Sequence, residues 1–385
     1  MTLLLHLVQH AAFGYTEATF LTGVQRATYL RRVLAVGVGG LLVGVGWWAH
    51  RRRTDPPAVS VTAALRQPIP QLPILATFTD AALQIVAVGV GGSLGREGAP
   101  RQTGAALGGW AASRFGLPAA QRRTVLACGA GAGLAAVYNV PLGGAAFTLE
   151  ILLASAALAD VVAAVLSAGV ATVVAWPVLH NHITYPIPAV HYSNPILAWA
   201  VLLGPVAGVL GVLFTRLTNT AARHAPTGWR AVLLTTTTFT ALGAAATVYP
   251  QLLGNGKGPA GLAFTGTLGI SLAAAILVLK PVATAACLRA GATGGLLTPA
   301  LATGAVLGVL TGQLWNHIWP GGNDAQYAII GAAALLGATQ RAPLTAILLT
   351  LEFTGTGQAL LAPVSIAVGL ALTVTHALTR QLTPR

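Results

Sequence analysis

Apolar runs long enough to cross a lipid bilayer recur from one end of this chain to the other, at Val33–Ala49, Asp160–Val178, Ile196–Phe214, Leu268–Val282 and Ala359–Leu378. Each is about the length needed for a hydrocarbon core of roughly 30 Å. Inside lipid every backbone N–H and C=O must be satisfied by the protein itself, which leaves helices or a closed β-barrel. Barrel strands alternate apolar and polar residues over short segments, and these runs do not. The fold class that follows is an all-α polytopic membrane protein. With mean hydropathy +0.74 and only 8% charged residues, the chain is too apolar for a soluble domain of its size.

The formal charge of +13 is not a nucleic-acid footprint, because the basic residues sit in short clusters between apolar runs: Arg31 and Arg32, Arg51 to Arg53, Arg122 and Arg123, Arg380 and Arg385. Such clusters anchor spans at the lipid surface and set their orientation. The first span, Val33–Ala49, has arginines at both ends, so its orientation stays open. Cys128 and Cys287 lie within apolar segments and read as small buried hydrophobes, without a disulfide framework. No basic n-region precedes the first apolar residues, so no secretory signal peptide is expected. His180, His182 and His191 share a polar loop with no acid or thiol nearby in sequence; a wet loop is expected there, not a metal site. Gly254–Gly258, GNGKG, lacks the spacing of a phosphate loop and is expected to be a turn outside the membrane.

One stretch breaks the lipid pattern. Gly91–Pro100 reads GGSLGREGAP and sets the carboxylate of Glu97 among four close glycines, ahead of a helix-compatible run from Arg101 to Ser113. Ionisable residues inside membrane segments are expensive and functional by default. Glycines leave backbone N–H groups unshielded, and a helix starting beyond them turns its free N–H groups and positive dipole end toward the loop. That arrangement holds an anion, either a dissolved one or the Glu97 carboxylate itself.

The chain also repeats itself. Gly129–Glu150 (GAGAGLAAVYNVPLGGAAFTLE) and Gly331–Glu352 (GAAALLGATQRAPLTAILLTLE) align without a gap and agree at nearly half of their positions. At almost the same offset, Gly95–Gly108 aligns with Gly295–Gly308 through Gly95/Gly295, Thr103/Thr303, Gly104/Gly304, Leu107/Leu307 and Gly108/Gly308. Pro141 interrupts the apolar segment Thr124–Glu150, where a proline ends one helix and starts another. Two related halves, each with a broken helix and a glycine loop before a helix, describe a transporter whose site lies where the halves meet. The expected organisation is a surface or interfacial segment at 1–32, a first membrane repeat at 33–190 and a second at 191–385, with no cytosolic regulatory domain. Glu150 and Glu352, which end matched helices, are expected to be structural or interfacial carboxylates.

GREGAP at Gly95–Pro100, the Gly129–Glu150 segment, GGLLTP at Gly294–Pro299 and QRAPLTAILLTLEFTG at Gln340–Gly355 resemble, in the correct order, the signature motifs of the CLC family of chloride channels and proton-coupled chloride antiporters. The resemblance covers about residues 33–380. It implies two inverted repeats of tilted, often broken helices, and a homodimer in the lipid membrane, in bacteria the inner membrane, with one anion pathway per subunit. It implies that Glu97 is the gating and proton-carrying glutamate, its carboxylate mimicking a bound anion. It implies an anion site made by Gly95, Arg96, Gly98 and Ala99 from one half and Gly295, Leu296, Leu297 and Thr298 from the other. Chloride or a similar small anion would be the transported ligand, with no cofactor, no metal and no enzymatic activity.

Several positions depart from the family pattern. Ala99 stands where the signature proline follows GREG, and Pro100 comes one place later. The GSGIP motif has no clear copy; Thr54–Pro57 and Val59–Leu65 occupy that region. Leu297 replaces the phenylalanine of GGxFxP, Ile151 follows Glu150 where many antiporters carry a second glutamate, and the C-terminal tyrosine is missing from Arg380–Arg385. The reading is an H+/anion antiporter, with a passive voltage- or pH-gated channel or a fluoride- or nitrate-selective relative as alternatives. A transporter of organic or cationic solutes fits less well, since a cation site wants more than one intramembrane acid. A membrane enzyme would need more than the sequence offers: HExxH is absent, and although GGSLG at Gly91–Gly95 has the GxSxG spacing, Ser93 has no histidine within its segment.

Overall fold

The computed structural model describes residues 1–16, 19–54, 58–187 and 189–382. Glu17 of the 1–32 segment, Asp55, Pro56 and Pro57 of the Thr54–Pro57 stretch, and Thr383–Arg385 of the Arg380–Arg385 stretch lie outside the described residues. From the N-terminus the helices are α1 (Thr2–Phe13), α2 (Phe20–Arg26), α3 (Tyr29–Arg53), α4 (Val61–Leu65), α5 (Ile74–Gly89), α6 (Gly98–Arg114), α7 (Ala119–Tyr138), α8 (Pro141–Phe147) and α9 (Leu158–Leu179). There follow α10 (Asn194–Arg223), α11 (Trp229–Ala245), α12 (Lys257–Phe264), α13 (Ile270–Arg289), α14 (Leu297–Asn316), α15 (Asp324–Gln340), α16 (Pro343–Thr354) and α17 (Leu361–Leu382). Six of these segments, α3, α9, α10, α13, α14 and α17, are long and apolar enough to cross a membrane, and the chain is an integral membrane protein.

The run α5 to α9 is repeated in order by α13 to α17, about 200 positions later, and local chemistry explains why the copies break alike. α7 ends on Asn139 in the left-handed conformation, φ 56°, and Pro141 opens α8. α15 ends on Arg341, φ 54°, and Pro343 opens α16. A left-handed residue closes the last turn of a helix, and the preset φ of proline suits the first turn of the next. α8 then runs on through a π-helical turn, Thr148–Leu153, while α16 continues as regular helix.

Packing is repeated as well. α6 lies along α7 and α14 along α15. A Cβ on Gly104 would sit 2.1 Å from the carbonyl oxygen of Gly129, and one on Gly304 would sit 2.4 Å from that of Gly331. Both crossings therefore depend on bare backbone meeting bare backbone, the small-residue contact that lets membrane helices approach closely. The centre of the molecule is at α14 and α15. Of the most apolar stretch of α14, 78% is buried, against 17% for α9 at the periphery.

Glu150 and Glu352 tie the copies together. Glu150 Oε1 accepts from Leu344 N (3.1 Å), and Oε2 accepts from Thr345 N (2.8 Å) and Thr345 Oγ1 (2.7 Å), at the start of α16. Glu352 accepts from Leu142 N (3.0 Å) and Gly143 N (2.7 Å), at the start of α8. Each carboxylate caps the broken helix of the other half, where it satisfies free N–H groups and faces the positive dipole end. Glu150→Gln and Glu352→Gln are each expected to cost about 1–2 kcal/mol of stability. The readout is thermal aggregation in detergent, and equal midpoints for variants and wild type would remove this role.

One expectation is corrected and another is made more specific. The helix after Glu97 starts at Gly98, three residues before the Arg101–Ser113 run, so Gly98, Ala99 and Pro100 make its first turn directly at the glutamate. The GNGKG loop, expected as a turn outside the membrane, is packed into the protein. Gly254 and Gly256 are buried, Gly254 N donates to Gly91 O at 2.9 Å, and the fully buried Lys280 of α13 donates to Leu252 O (2.8 Å) and Gly254 O (2.7 Å). Positive φ at Gly254 (72°) and Gly256 (98°) lets the backbone fold over that ammonium group.

Candidate anion-binding site

The two glycine loops meet. Gly95 N donates to Gly295 O at 2.7 Å and Gly295 N to Gly95 O at 2.8 Å, an isolated antiparallel bridge between the copies. The bridge uses both of these amides, so neither Gly95 nor Gly295 has its N–H turned toward an anion. Their contribution is space. A Cβ on Gly95 or on Gly295 would lie 2.1 or 2.2 Å from Glu97 Oε1, so the carboxylate occupies the gap that two missing side chains leave.

Glu97 is fully buried. Its Oε1 accepts from Leu297 N at 2.7 Å and Thr298 N at 3.3 Å, the first amides of α14. Its Oε2 accepts from Thr298 Oγ1 at 2.8 Å, and Tyr138 OH lies 3.3 Å away. Tyr138 OH and Thr298 Oγ1 also share a hydrogen bond of 2.9 Å. A glutamate from one half thus sits on the helix N-terminus of the other. Free amides and a positive dipole end make that a place for negative charge, and the Glu97 carboxylate occupies it.

Of the expected anion-binding residues, Leu297 and Thr298 touch the carboxylate. Gly98 and Ala99 form the buried first turn of α6, and Leu296 precedes α14. The Arg96 guanidinium lies over the Tyr138 ring, 4.9 Å from its centroid. Arg101 Nε donates to the backbone oxygen of Glu97 at 3.0 Å and holds the loop from below.

Motif reading misses three side chains, Tyr138, Lys280 and Asp80, and the hydroxyl of Thr298. Tyr138 stands where the family pattern has phenylalanine, and Thr298 fills an unspecified place in GGxFxP; together they bring two hydroxyls to Glu97. Lys280 and Asp80 stand at matched positions of the repeat and carry opposite charges. Asp80 is buried and accepts from Trp47 Nε1 (2.9 Å), Gln84 Nε2 (2.8 Å) and Thr293 Oγ1 (3.3 Å). Where GSGIP lacks a copy, Ser60 caps α4 through Ala63 N (3.2 Å). Ser60 and Thr62 line a cavity of about 340 Å3 that also reaches Gly98 and Gly294. Among the described residues no three His, Cys, Asp or Glu side chains converge as a metal site would require.

Three comparisons bear on this arrangement. The family described as "Voltage gated chloride channel" matches residues 39–376. A "Voltage-gated ClC-type chloride channel ClcB" of Escherichia coli is 30% identical over 364 residues, covering 91% of this chain and 85% of that one. The protein of the same description from Citrobacter koseri is 30% identical over 339 residues, covering 84% of this chain and 79% of its own length. Among solved structures, a slow cyanobacterial Cl-/H+ antiporter superposes with TM-score 0.85 at 21% identity, covering 98% of this chain and 90% of that chain. A CLC-type fluoride/proton antiporter superposes with TM-score 0.75 at 20% identity, covering 97% of this chain and 95% of that chain.

Proposed function

Because the chain belongs to the CLC family of chloride channels and antiporters, we propose that it exchanges chloride or a similar small anion for protons, with Glu97 as the gate. The observation that carries the reading is the seating of the Glu97 carboxylate on Leu297 N and Thr298 N. A halide and a carboxylate compete for the same amides, so an anion gains the seat when Glu97 leaves it or takes up a proton. A proton accepted there and released after the side chain swings links proton movement to anion movement. Backbone amides of Leu297, Thr298 and the first turn of α6, with Arg96 beside them, make up the anion-binding set of this reading. The protein acts as a homodimer with one pathway per subunit, built from repeats at 33–190 and 191–385 and a surface segment at 1–32. The passive channel is the second reading, favoured by Ile151 at the place of the antiporters' second glutamate.

Proteoliposomes loaded with chloride, fluoride or nitrate, with external pH followed during efflux, test this. Proton uptake that tracks chloride efflux and drives it against a gradient is the expected result. Efflux without proton movement would leave the channel, and no halide efflux would end the proposal. The hydroxyls make a further prediction. Thr298→Ala and Tyr138→Phe each remove a group that holds Glu97 in its seat, worth about 1 kcal/mol of net hydrogen bonding. Anion turnover at neutral pH is therefore expected to rise about fivefold. Unchanged turnover in both variants would show that the hydroxyls do not restrain the side chain.

A further inference from the structure

On the Arg96 face of the site lies a cavity of about 590 Å3. One wall is α1 and α2, from the residues before 39 that the family match leaves out. The cavity is lined by His6 and His10 of α1, Arg96, and Asn255 and Lys257 at the start of α12. No acidic side chain lines it among the described residues. Lys257 is an exposed residue on the wall of the cavity, its ammonium group 6.0 Å from the Tyr185 ring centroid, and Asn255 Oδ1 accepts from Lys257 N at 3.2 Å. Arg96 Nε is buried without a hydrogen-bond partner. Arg96 and Tyr138 are the layer between this space and the Glu97 carboxylate.

We propose that α1 and α2 close an anion antechamber: a second site, next to the occluded seat of Glu97, where a small anion is held with part of its water shell by Lys257 and Arg96. The chemistry follows from what lines the space. Two cations with no acidic side chain beside them in the lining, among the described residues, concentrate negative charge inside low-dielectric walls. The volume far exceeds that of a bare halide, since a single water takes about 30 Å3, so the guest keeps some of its hydration. An anion staged here is one side-chain layer from Leu297 N and Thr298 N.

The titratable groups facing this space are His6, His10, Arg96 and Lys257, with Tyr15 and Tyr185 beside them. Burial, reinforced by the Arg96 guanidinium, pulls the Lys257 ammonium group down to about 8. Burial, then Arg96, His10 and Lys257, hold His6 below its ordinary value. Lys257 is thus charged at neutral pH and loses its charge as pH rises through about 8, while His6 adds charge only in more acid solution than an ordinary imidazole needs. Anion affinity on this face rises as pH falls and is weakest above pH 8.

The site rests on the transport reading only for its role in flux, so binding and flux are measured separately on the full-length protein. Crystals soaked in bromide are expected to show an anomalous peak beside Lys257 Nζ in the wild type and none there in Lys257→Gln. In proteoliposomes Lys257→Gln is expected to raise the half-saturating chloride concentration on this face about fivefold, the loss of one charged partner. Maximal rate and proton coupling stay as in the wild type. His6→Ala is expected to flatten the affinity gain in acid solution without touching the neutral value. Absence of bromide from the wild-type cavity, or unchanged half-saturation in Lys257→Gln, overturns the antechamber. Bromide bound there in a protein that moves no anion would overturn the transport reading and leave the antechamber standing.

Discussion

Glu97→Ala is expected to abolish proton movement and to leave an anion flux that no longer varies with pH. The carboxylate fills the gap between Gly95 and Gly295 and takes the hydrogen bonds of Leu297 N, Thr298 N and Thr298 Oγ1. Its removal leaves those buried donors unpaired, and each unpaired group costs about 1–3 kcal/mol. An anion that enters the emptied seat restores the bonds. The variant should therefore be unstable in anion-poor buffer and recover as chloride is added, by about 2.7 kcal/mol at a hundredfold excess over Kd. Wild type, which brings its own carboxylate, should respond much less. Proteoliposome flux with external pH and thermal midpoints across a chloride series are the two measurements. If proton coupling persisted in Glu97→Ala, the gate would lie elsewhere; a midpoint that ignored chloride would mean that no anion takes the place of the carboxylate.

The second large effect concerns the helix crossings. Gly104→Ala and Gly304→Ala each put a Cβ within 2.1 or 2.4 Å of a carbonyl oxygen on the neighbouring helix. The obstacle is backbone, not a flexible side-chain end, so α6 must separate from α7, or α14 from α15. Overpacking of this kind costs about 1–3 kcal/mol, occasionally more. Because α14 starts at Leu297 and Thr298, movement of that helix also misplaces the amides under Glu97, so Gly304→Ala should lose transport as well as stability. Gly169 in the peripheral α9 has nothing within 4 Å of its would-be Cβ. Gly169→Ala is expected to be neutral or to stabilise by about 0.5–1 kcal/mol. Thermal midpoints in detergent separate these cases, and a destabilised Gly169→Ala with unaffected Gly104→Ala and Gly304→Ala would contradict the packing account.

Much of this was legible in the residues themselves. The paired prolines 141 and 343 announce the helix breaks, and the Gly95/Gly295 match brings the two loops into correspondence before any contact is known. The carboxylate of Glu97 stands out because hydrocarbon makes every charge conspicuous. Other features were hidden because they depend on long-range packing. Nothing local says that Lys280, inside an apolar run, reaches Leu252 and Gly254, and so the GNGKG loop reads from sequence only as a turn outside the membrane. Tyr138 read only as part of a helix break, since its hydroxyl finds Thr298 across the interface of the copies. Ser60 was overlooked because the motif expected near it has a different sequence, although helix capping by a serine is a common local signal.

The exchange of caps between Glu150 and Glu352 has a consequence for how the protein is made. Translation completes Pro141–Phe147 some two hundred residues before Glu352 leaves the ribosome. Through most of biosynthesis the N–H groups of Leu142 and Gly143 must find temporary partners, in water, in the translocon wall or among lipid headgroups. The N-terminal portion is therefore held unfinished until Glu352 arrives, and a nascent chain that stops short of that residue carries a built-in mark of incompleteness.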